Sequence, residues 1–400
     1  MANRSEKRWE GTSLAHRGRA DPPEIDLTEI CGRTYRCIDN CALCCLCQPE
    51  LLPDEERSFR ASPALVEAVT DQHISKEVRG AAIKLRGAHG ACWFLNDRRC
   101  KIYADRPHFC RAFPVNVFVG WRIQLNANLS CRGMDLPGES LEGIGRDILA
   151  GYGEVKLSEE LEGARKVFSD FVKNSREAWV AQSFTSIRDA GRALEDELVD
   201  EVGLGRMMTY AEHGRTAQNS PAKDILKQVR RTESEADIRE RALIDGTELF
   251  DLPDLSLLPI FIDDKLNWRI FRLVEKEIVG YALHENGTLE EYSKIDPSEV
   301  DLLPMDDHAK STMKRYFGLV NSRDCFLGHA AYLCDSENYD YNFAQVYIGA
   351  LANNAVDLWW RSSLLATLSG KTELGHAEIS DGIVFFDMDL LDLPTIGAFV

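Results

Sequence analysis

No run of about eighteen uncharged apolar residues occurs anywhere in these 400 residues. The longest candidate, 346–368, is interrupted by Asn353, Asn354, Asp357 and Arg361, so no membrane-spanning helix is expected and no membrane partner. The opening residues, Met-Ala-Asn-Arg-Ser-Glu-Lys-Arg-Trp-Glu, carry charge with no apolar stretch behind them, which argues against a secretory leader and predicts a cytoplasmic protein. Basic charge is scarce: 47 Lys and Arg stand against 65 Asp and Glu, a net charge of −18. The imbalance is local. Residues 1–131 hold 19 basic against 16 acidic residues, and the remainder holds 28 against 49, so most of the chain would repel a phosphate backbone and no nucleic-acid partner is expected. Familiar catalytic signatures are missing as well: there is no Gly-x-Ser-x-Gly, no Walker loop and no His-Glu-x-x-His. The glycine pairs at 143/145, 151/153 and 203/205 lack the third glycine and the preceding strand of a nucleotide-binding turn.

What the chain has is cysteine. Ten of its twelve cysteines lie in the first third, and five fall within Cys37–Cys47, Cys-Ile-Asp-Asn-Cys-Ala-Leu-Cys-Cys-Leu-Cys. A cysteine used for packing stands alone among apolar neighbours, whereas close, repeated spacing brings several sulfurs around one point, as metal coordination requires. A reducing compartment disfavours disulfides and favours the metal reading further. Cys37, Cys41, Cys44, Cys45, Cys92, Cys100, Cys110 and Cys131 are the candidate ligands. One tetrahedral zinc or one [4Fe–4S] cluster takes four thiolates, so this set is large enough for two centres, with Cys31 and Cys47 left over. In an extended segment the neighbouring Cys44 and Cys45 side chains point to opposite sides, so they are expected either to serve two centres or to divide so that one ligates and the other sits behind it. Arg106 and Arg111 flank Cys110 where they offset thiolate charge, and Pro107 and Pro114 restrict the backbone on either side. His89 and His108 are read as neighbours of the ligands; Trp93, Phe94, Phe109 and Phe113 as dry packing around the metal; and Cys325 and Cys334 as plain buried thiols.

Composition and patterning predict an α+β protein: a small irregular cysteine-rich metal-binding domain, a helical connector, and a C-terminal α+β domain with antiparallel strands. The expected divisions are a polar lead-in over 1–30, the cysteine-cluster domain over 31–135, a mainly helical connector over 136–225 and the α+β domain over 226–400. Ser62-Pro63 predicts a helix start running through Val69, and 76–85 predicts another helix. Hairpins are expected about Asn96–Arg99 and about Gly120. A short helix is expected over 141–149, and a long one from Ser158, with Leu161, Ala164, Phe168, Phe171 and Val172 on one face. Helical patterning continues past Trp179, Leu194 and Leu198, and 213–224 reads as a surface loop. Further on, 268–274, 277–283 and 289–292 predict an antiparallel meander turning at Asn286-Gly287, Ala309 to Val320 and Phe343 onward predict helices, and Ile383–Phe386 predicts a closing strand.

Cys37-x3-Cys41-x2-Cys44-Cys45, Cys92-x-Phe-Leu, Cys100-x-Ile-Tyr and Arg106-Pro-x-x-Cys110-Arg-x-Phe-Pro114 occur in that order, and together they resemble the YkgJ-like cysteine-cluster family, a zinc- or iron-chelating domain. The resemblance covers roughly a quarter of the chain, 35–131, and departs from the family's Cys-x2-Cys-x2-Cys-Cys in its first spacing and in the additional Cys47. It implies an iron–sulfur cluster (4Fe–4S) or zinc as cofactor. In overall size, and in pairing such a cluster with a larger C-terminal region, the chain is also similar to the flagellin lysine-N-methylases, which implies an iron–sulfur-dependent enzyme acting on a protein substrate. Cys37-x3-Cys41-x2-Cys44 also satisfies the radical S-adenosylmethionine spacing. Against that stand Leu43 at a position usually aromatic, the missing Gly-Gly-Glu-type motif and the absence of repeated βα units. A zinc knot that only holds its own domain together is the plainest alternative. Two functional expectations follow: a metal-binding unit whose C-terminal domain docks a protein partner, and a protein-modifying enzyme whose cluster borders a substrate cleft.

Overall fold

The computed structural model describes residues 24–72, 80–87, 90–174, 184–213, 234–336 and 342–399. The expectations for Trp179, for His89 and for most of the 213–224 loop lie outside them.

The N-terminal part is built of short pieces. Strands β1 (Ile25–Asp26) and β2 (Thr34–Tyr35) lead into a 3-10 turn at Leu43–Leu46 and helix α1 (Pro53–Ala61). The start signal lies at α1, ten residues ahead of the expected Ser62-Pro63: Pro53 occupies the first turn with Asp54, Glu55 and Glu56, and the Glu55 carboxylate accepts the Leu52 N–H at 3.1 Å. Ser62, preceding a proline, is extended and ends the helix, so 62–69 is a turn, a 3-10 segment (Val66–Ala68) and the start of β3 (Val69–Thr70). The helix expected over 76–85 is corrected in its described part, where β4 (Ala82–Ile83) pairs antiparallel with β3 and Leu85 bridges Cys92.

The two expected hairpins form. Strands β5 (Leu95–Asn96) and β6 (Arg99–Cys100) turn through Asp97 and Arg98, both at positive φ as a two-residue hairpin demands. After helix α2 (His108–Ala112), β7 (Val115–Val119) pairs with β8 (Ile123–Ala127). Strand β9 (Glu139–Ser140) pairs with β2, and helices α3 (Leu141–Tyr152) and α4 (Glu154–Asn174) follow, α4 starting four residues before Ser158 and burying Leu161, Phe168 and Phe171. Then come α5 (Phe184–Ala193), α6 (Glu201–His213) and α7 (Glu235–Phe250).

The C-terminal meander has four strands in the order β10 (Ile260–Ile262), β11 (Trp268–Val274), β12 (Glu277–Leu283) and β13 (Leu289–Ile295), all antiparallel. Helices α8 (Asp307–Val320), α9 (Asp324–Ser336), α10 (Phe343–Leu368) and α11 (His376–Leu391) complete it. The expected strand at Ile383–Phe386 is corrected: it lies inside α11. Ile379, Ile383, Phe386 and Leu390 recur at helical spacing and are buried, and Glu378 caps the helix by accepting the Gly375 N–H at 2.9 Å. Burial of that face outweighs the strand preference of Ile383-Val-Phe-Phe. Phe250, Phe261, Phe271, Trp360 and Phe385 form one aromatic core between the sheet and helices α7, α10 and α11. The fold is α+β.

The last strand, β14 (Ala398–Phe399), returns to pair with β7, giving a sheet ordered β1-β8-β7-β14 that joins both ends of the described chain. Buried charge reinforces this contact. Arg122 binds Asp324 at 2.6 Å and Asp26 at 2.9 Å, and Arg188 binds Asp324 at 2.6 Å. Arg323, fully buried, binds Asp387 at 2.7 Å and Glu29 at 2.9 Å, and donates to the Ala127 carbonyl at 3.0 Å. Removing charges from water costs several kcal/mol per ion, so the network persists only because each carboxylate meets a guanidinium at hydrogen-bond range.

Candidate metal centre

Strand β2 delivers the chain to Cys37, whose thiol hydrogen-bonds the Tyr35 hydroxyl. Asn40 and Ala42 then adopt left-handed conformations, bending the backbone twice within three residues around Cys41. Cys44 and Cys45 sit in the middle of the 3-10 turn rather than in an extended segment, and their thiols hydrogen-bond each other. The expectation that they point to opposite sides is therefore corrected.

The downstream cysteines are brought to this turn by backbone bonds. The Cys92 N–H donates to the Cys45 carbonyl at 2.7 Å. Cys100 ends the β5–β6 hairpin opposite Leu95, and Cys110 lies in α2, directly after the Arg106-Pro107 bend. Cys131 follows β8 in a loop tied to α11: Leu129 N–H donates to Asp387 at 2.6 Å, and the Ser130 hydroxyl accepts from Met388 N–H at 3.0 Å.

The cysteines also influence one another electrostatically. Cys44 acts on Cys37, Cys41, Cys45, Cys47, Cys92, Cys100, Cys110 and Cys131, pushing each upward. All eight proposed ligands therefore share one electrostatic neighbourhood, together with Cys47, which is drawn into it at about 12 by burial and then Cys44. Burial is also the main cause at Cys41 and Cys92, each raised to about 11, and at Cys131, raised to about 12. Cys44 alone is lowered, because Cys45 donates to its sulfur; Cys45 is raised for the same reason and keeps its proton.

Four sulfurs have a stabilising donor in common geometry. The backbone N–H two residues on, at Leu43, Phe94, Ile102 and Gly133, bonds Cys41, Cys92, Cys100 and Cys131 respectively and favours the thiolate at each. Arg106 favours the thiolates of Cys37, Cys44, Cys100 and Cys110. Arg111, expected to do likewise, turns to Glu55 at 3.5 Å. Among the described residues, no three Cys, His, Asp or Glu side chains already surround a common point at ligand spacing. The donor set is nonetheless all sulfur, the choice of zinc and of iron–sulfur clusters, and protonated thiols close on a metal only as they release their protons.

The remaining candidates sort themselves by position. Cys31 is exposed, Cys325 packs buried against Phe118 and Leu391, and Cys334 is half-buried. His108 is buried but faces α3: its ring meets Tyr152 edge-on at 4.6 Å, Gly151 abuts its Nδ1 edge, and Nε2 has no hydrogen-bond partner. Phe94 is buried, whereas Trp93 and Phe109, expected as packing around the metal, are 38% and 40% exposed. Trp93 and Phe94 both lie in the turn that precedes β5, which leaves Trp93 outside while Phe94 packs with Phe59.

Two contributors carry no local signal. The Trp268 indole N–H donates to the Cys41 carbonyl at 3.0 Å, and Arg98, 3.4 Å over the Trp268 ring, donates to the same oxygen at 3.2 Å. Through them the cysteine turn joins the hydrophobic core of the C-terminal sheet, in which Cys41, Leu43 and Leu46 are buried.

Residues 36–132 match the family described as "CxxCxxCC: Putative zinc- or iron-chelating domain". No curated protein and no solved structure matches the chain. The match spans every one of the eight candidate ligands and supports metal chelation by this part of the chain. Among the described residues no helix is long and apolar enough to cross a membrane.

Proposed function

We propose that the N-terminal unit, 31–135, binds an iron–sulfur centre through ligands drawn from Cys37, Cys41, Cys44, Cys45, Cys92, Cys100, Cys110 and Cys131, and that the C-terminal region docks this unit to a protein partner. The observation that carries the reading is the 2.7 Å backbone bond from the Cys92 N–H to the Cys45 carbonyl, which brings the later cysteine submotifs up to the Cys37–Cys47 turn. Eight thiols are enough for two four-thiolate centres of either kind. Backbone N–H donors to sulfur and an apolar surround are also the means by which a protein sets the reduction potential of such a centre, a property that zinc does not have.

Cys44 and Cys45, adjacent in the 3-10 turn, would hold the centre together with the cysteines brought up from the later submotifs. Arg106 and the four N–H donors hold the negative charge that accumulates on the remaining sulfurs. The bound cluster would supply one-electron chemistry. Protein purified without oxygen should be brown, with broad visible absorption and iron and sulfide in comparable amounts; a colourless protein carrying stoichiometric zinc would overturn the iron–sulfur assignment.

A further inference from the structure

Residues 84–111, which carry Cys92, Cys100 and Cys110, hold seven Lys and Arg against two Asp and Glu within a chain of net charge −18. Several of these cations are already engaged: Arg86 pairs with Glu285, Arg98 covers Trp268 and Arg111 pairs with Glu55. Others remain at the surface. Arg99 and Lys101, on either side of Cys100, are exposed and make no ion pair among the described residues. Lys84 and Arg106 are half-buried: Lys84 lies 5.8 Å over the Trp93 ring and donates to the Glu67 carbonyl at 2.6 Å, and Arg106 lies 3.7 Å over the Tyr103 ring and donates to the Tyr103 carbonyl at 3.0 Å.

The same stretch carries three of the four exposed Trp, Tyr and Phe side chains among the described residues: Trp93, Tyr103 and Phe109, at 38%, 49% and 40% exposure. Large rings left in water in a stretch rich in cations are the composition of a recognition surface. Their position is also specific. The Lys101 N–H donates to the Phe94 carbonyl at 2.9 Å, fastening the hairpin that separates Trp93 from Tyr103, and Cys100 and Cys110 in the same stretch are only half-buried.

We propose that this surface docks an acidic, extended segment of a partner protein across the metal centre, its carboxylates on Lys84, Arg99 and Lys101 and its apolar groups on Trp93 and Tyr103. The inference deepens the metal-centre reading and rests on it only for what the docked segment reaches. Charge complementarity selects the occupant: a short acidic segment meets this basic stretch, whereas a nucleic acid, a longer polyanion, must run on across the acidic remainder of the chain.

The test uses the full chain, purified anaerobically, and a fluorescein-labelled peptide of about twelve residues, rich in Glu and Asp with two tyrosines, followed by anisotropy. Binding is expected at about 50 mM salt and should weaken at least about tenfold near 500 mM, where screening shortens to a few ångström. Reversing charge in R99E/K101E should weaken it at least about tenfold, and K84E/Y103S, whose sites are not adjacent to a cysteine, should weaken it as well. Equal or tighter binding of a labelled oligothymidylate of similar length makes the surface a nucleic-acid site and overturns the proposal, as does peptide binding that neither variant changes or no peptide binding at all. Metal content measured on each sample separates the two readings. Protein that holds metal but ignores the peptide sinks the docking surface alone; protein that binds the peptide but holds no metal sinks the metal centre alone.

Discussion

The indole N–H of Trp268 donates to the carbonyl oxygen of Cys41, although 227 positions separate them. Trp268 is fully buried at the start of β11, and the bond fixes the cysteine turn against the C-terminal sheet. Trp268→Phe removes the donor while retaining a ring beneath Arg98, and leaves the buried carbonyl with the 3.2 Å bond from Arg98. A lost bond of this kind costs about 1–2 kcal/mol. Urea unfolding should register that loss, and metal content should fall with it; an unchanged midpoint and full metal content would separate the sheet from the cysteine turn.

Cys44 lies in the 3-10 turn beside Cys45, whose carbonyl receives the Cys92 N–H at 2.7 Å, and Cys31 is exposed. Cys44→Ser should therefore strip most of the bound metal, and Cys31→Ser and Cys325→Ser should leave it intact. Metal analysis of the three variants decides the matter. Equal retention by Cys44→Ser would remove this residue from the centre.

The contrast between these residues marks how far the sequence can be read. Cys37 to Cys47 and the three later submotifs announce themselves through spacing, because ligands must recur at short intervals. The β11 and β12 strands and the Asn286-Gly287 turn were equally legible, each resting on local alternation and one positive-φ glycine. Ile383-Val-Phe-Phe misleads for the opposite reason: its local preference is for strand, and what decides is the buried face of α11, visible only once α8 and α10 are packed beside it. Trp268 over Cys41 is likewise a tertiary fact. Nothing near residue 268 suggests a cysteine.

Burial raises Cys41 and Cys92 to about 11 and Cys131 to about 12, above the 9.0 of an unperturbed thiol. For metal-free protein the sign follows from linkage. A folded pKa above the unfolded one contributes stability that is complete below the unfolded value and is lost as pH rises through the folded value. Unfolding free energy of the metal-free chain should be level to about pH 8.5 on account of these thiols and should decline above about pH 9. Loading a metal works in the other direction, since each bound thiolate releases a proton and affinity climbs steeply with pH. Urea midpoints of metal-free protein across this range provide the check; a rise above pH 9 in place of a decline would contradict the assigned burial.

Arg323 supplies the last test, because it joins the two ends of the chain without touching the cysteines. Its guanidinium neutralises Glu29 and Asp387 while also binding the Ala127 carbonyl, and Asp387 in turn accepts from Leu129, two residues before Cys131. Arg323→Met keeps much of the side-chain volume but leaves two buried carboxylates without their cation, at a cost of about 3–5 kcal/mol. The combined variant E29Q/R323M/D387N removes those charges together and should recover a large part of that stability, since a buried pair is expensive chiefly when broken on one side. If Arg323→Met unfolds no more easily than the parent, the network is not what holds β8 to α11. If it unfolds more easily and also loses metal under conditions where it remains folded, the Asp387–Leu129 bond is the route by which the C-terminal helices keep the Cys131 loop in position.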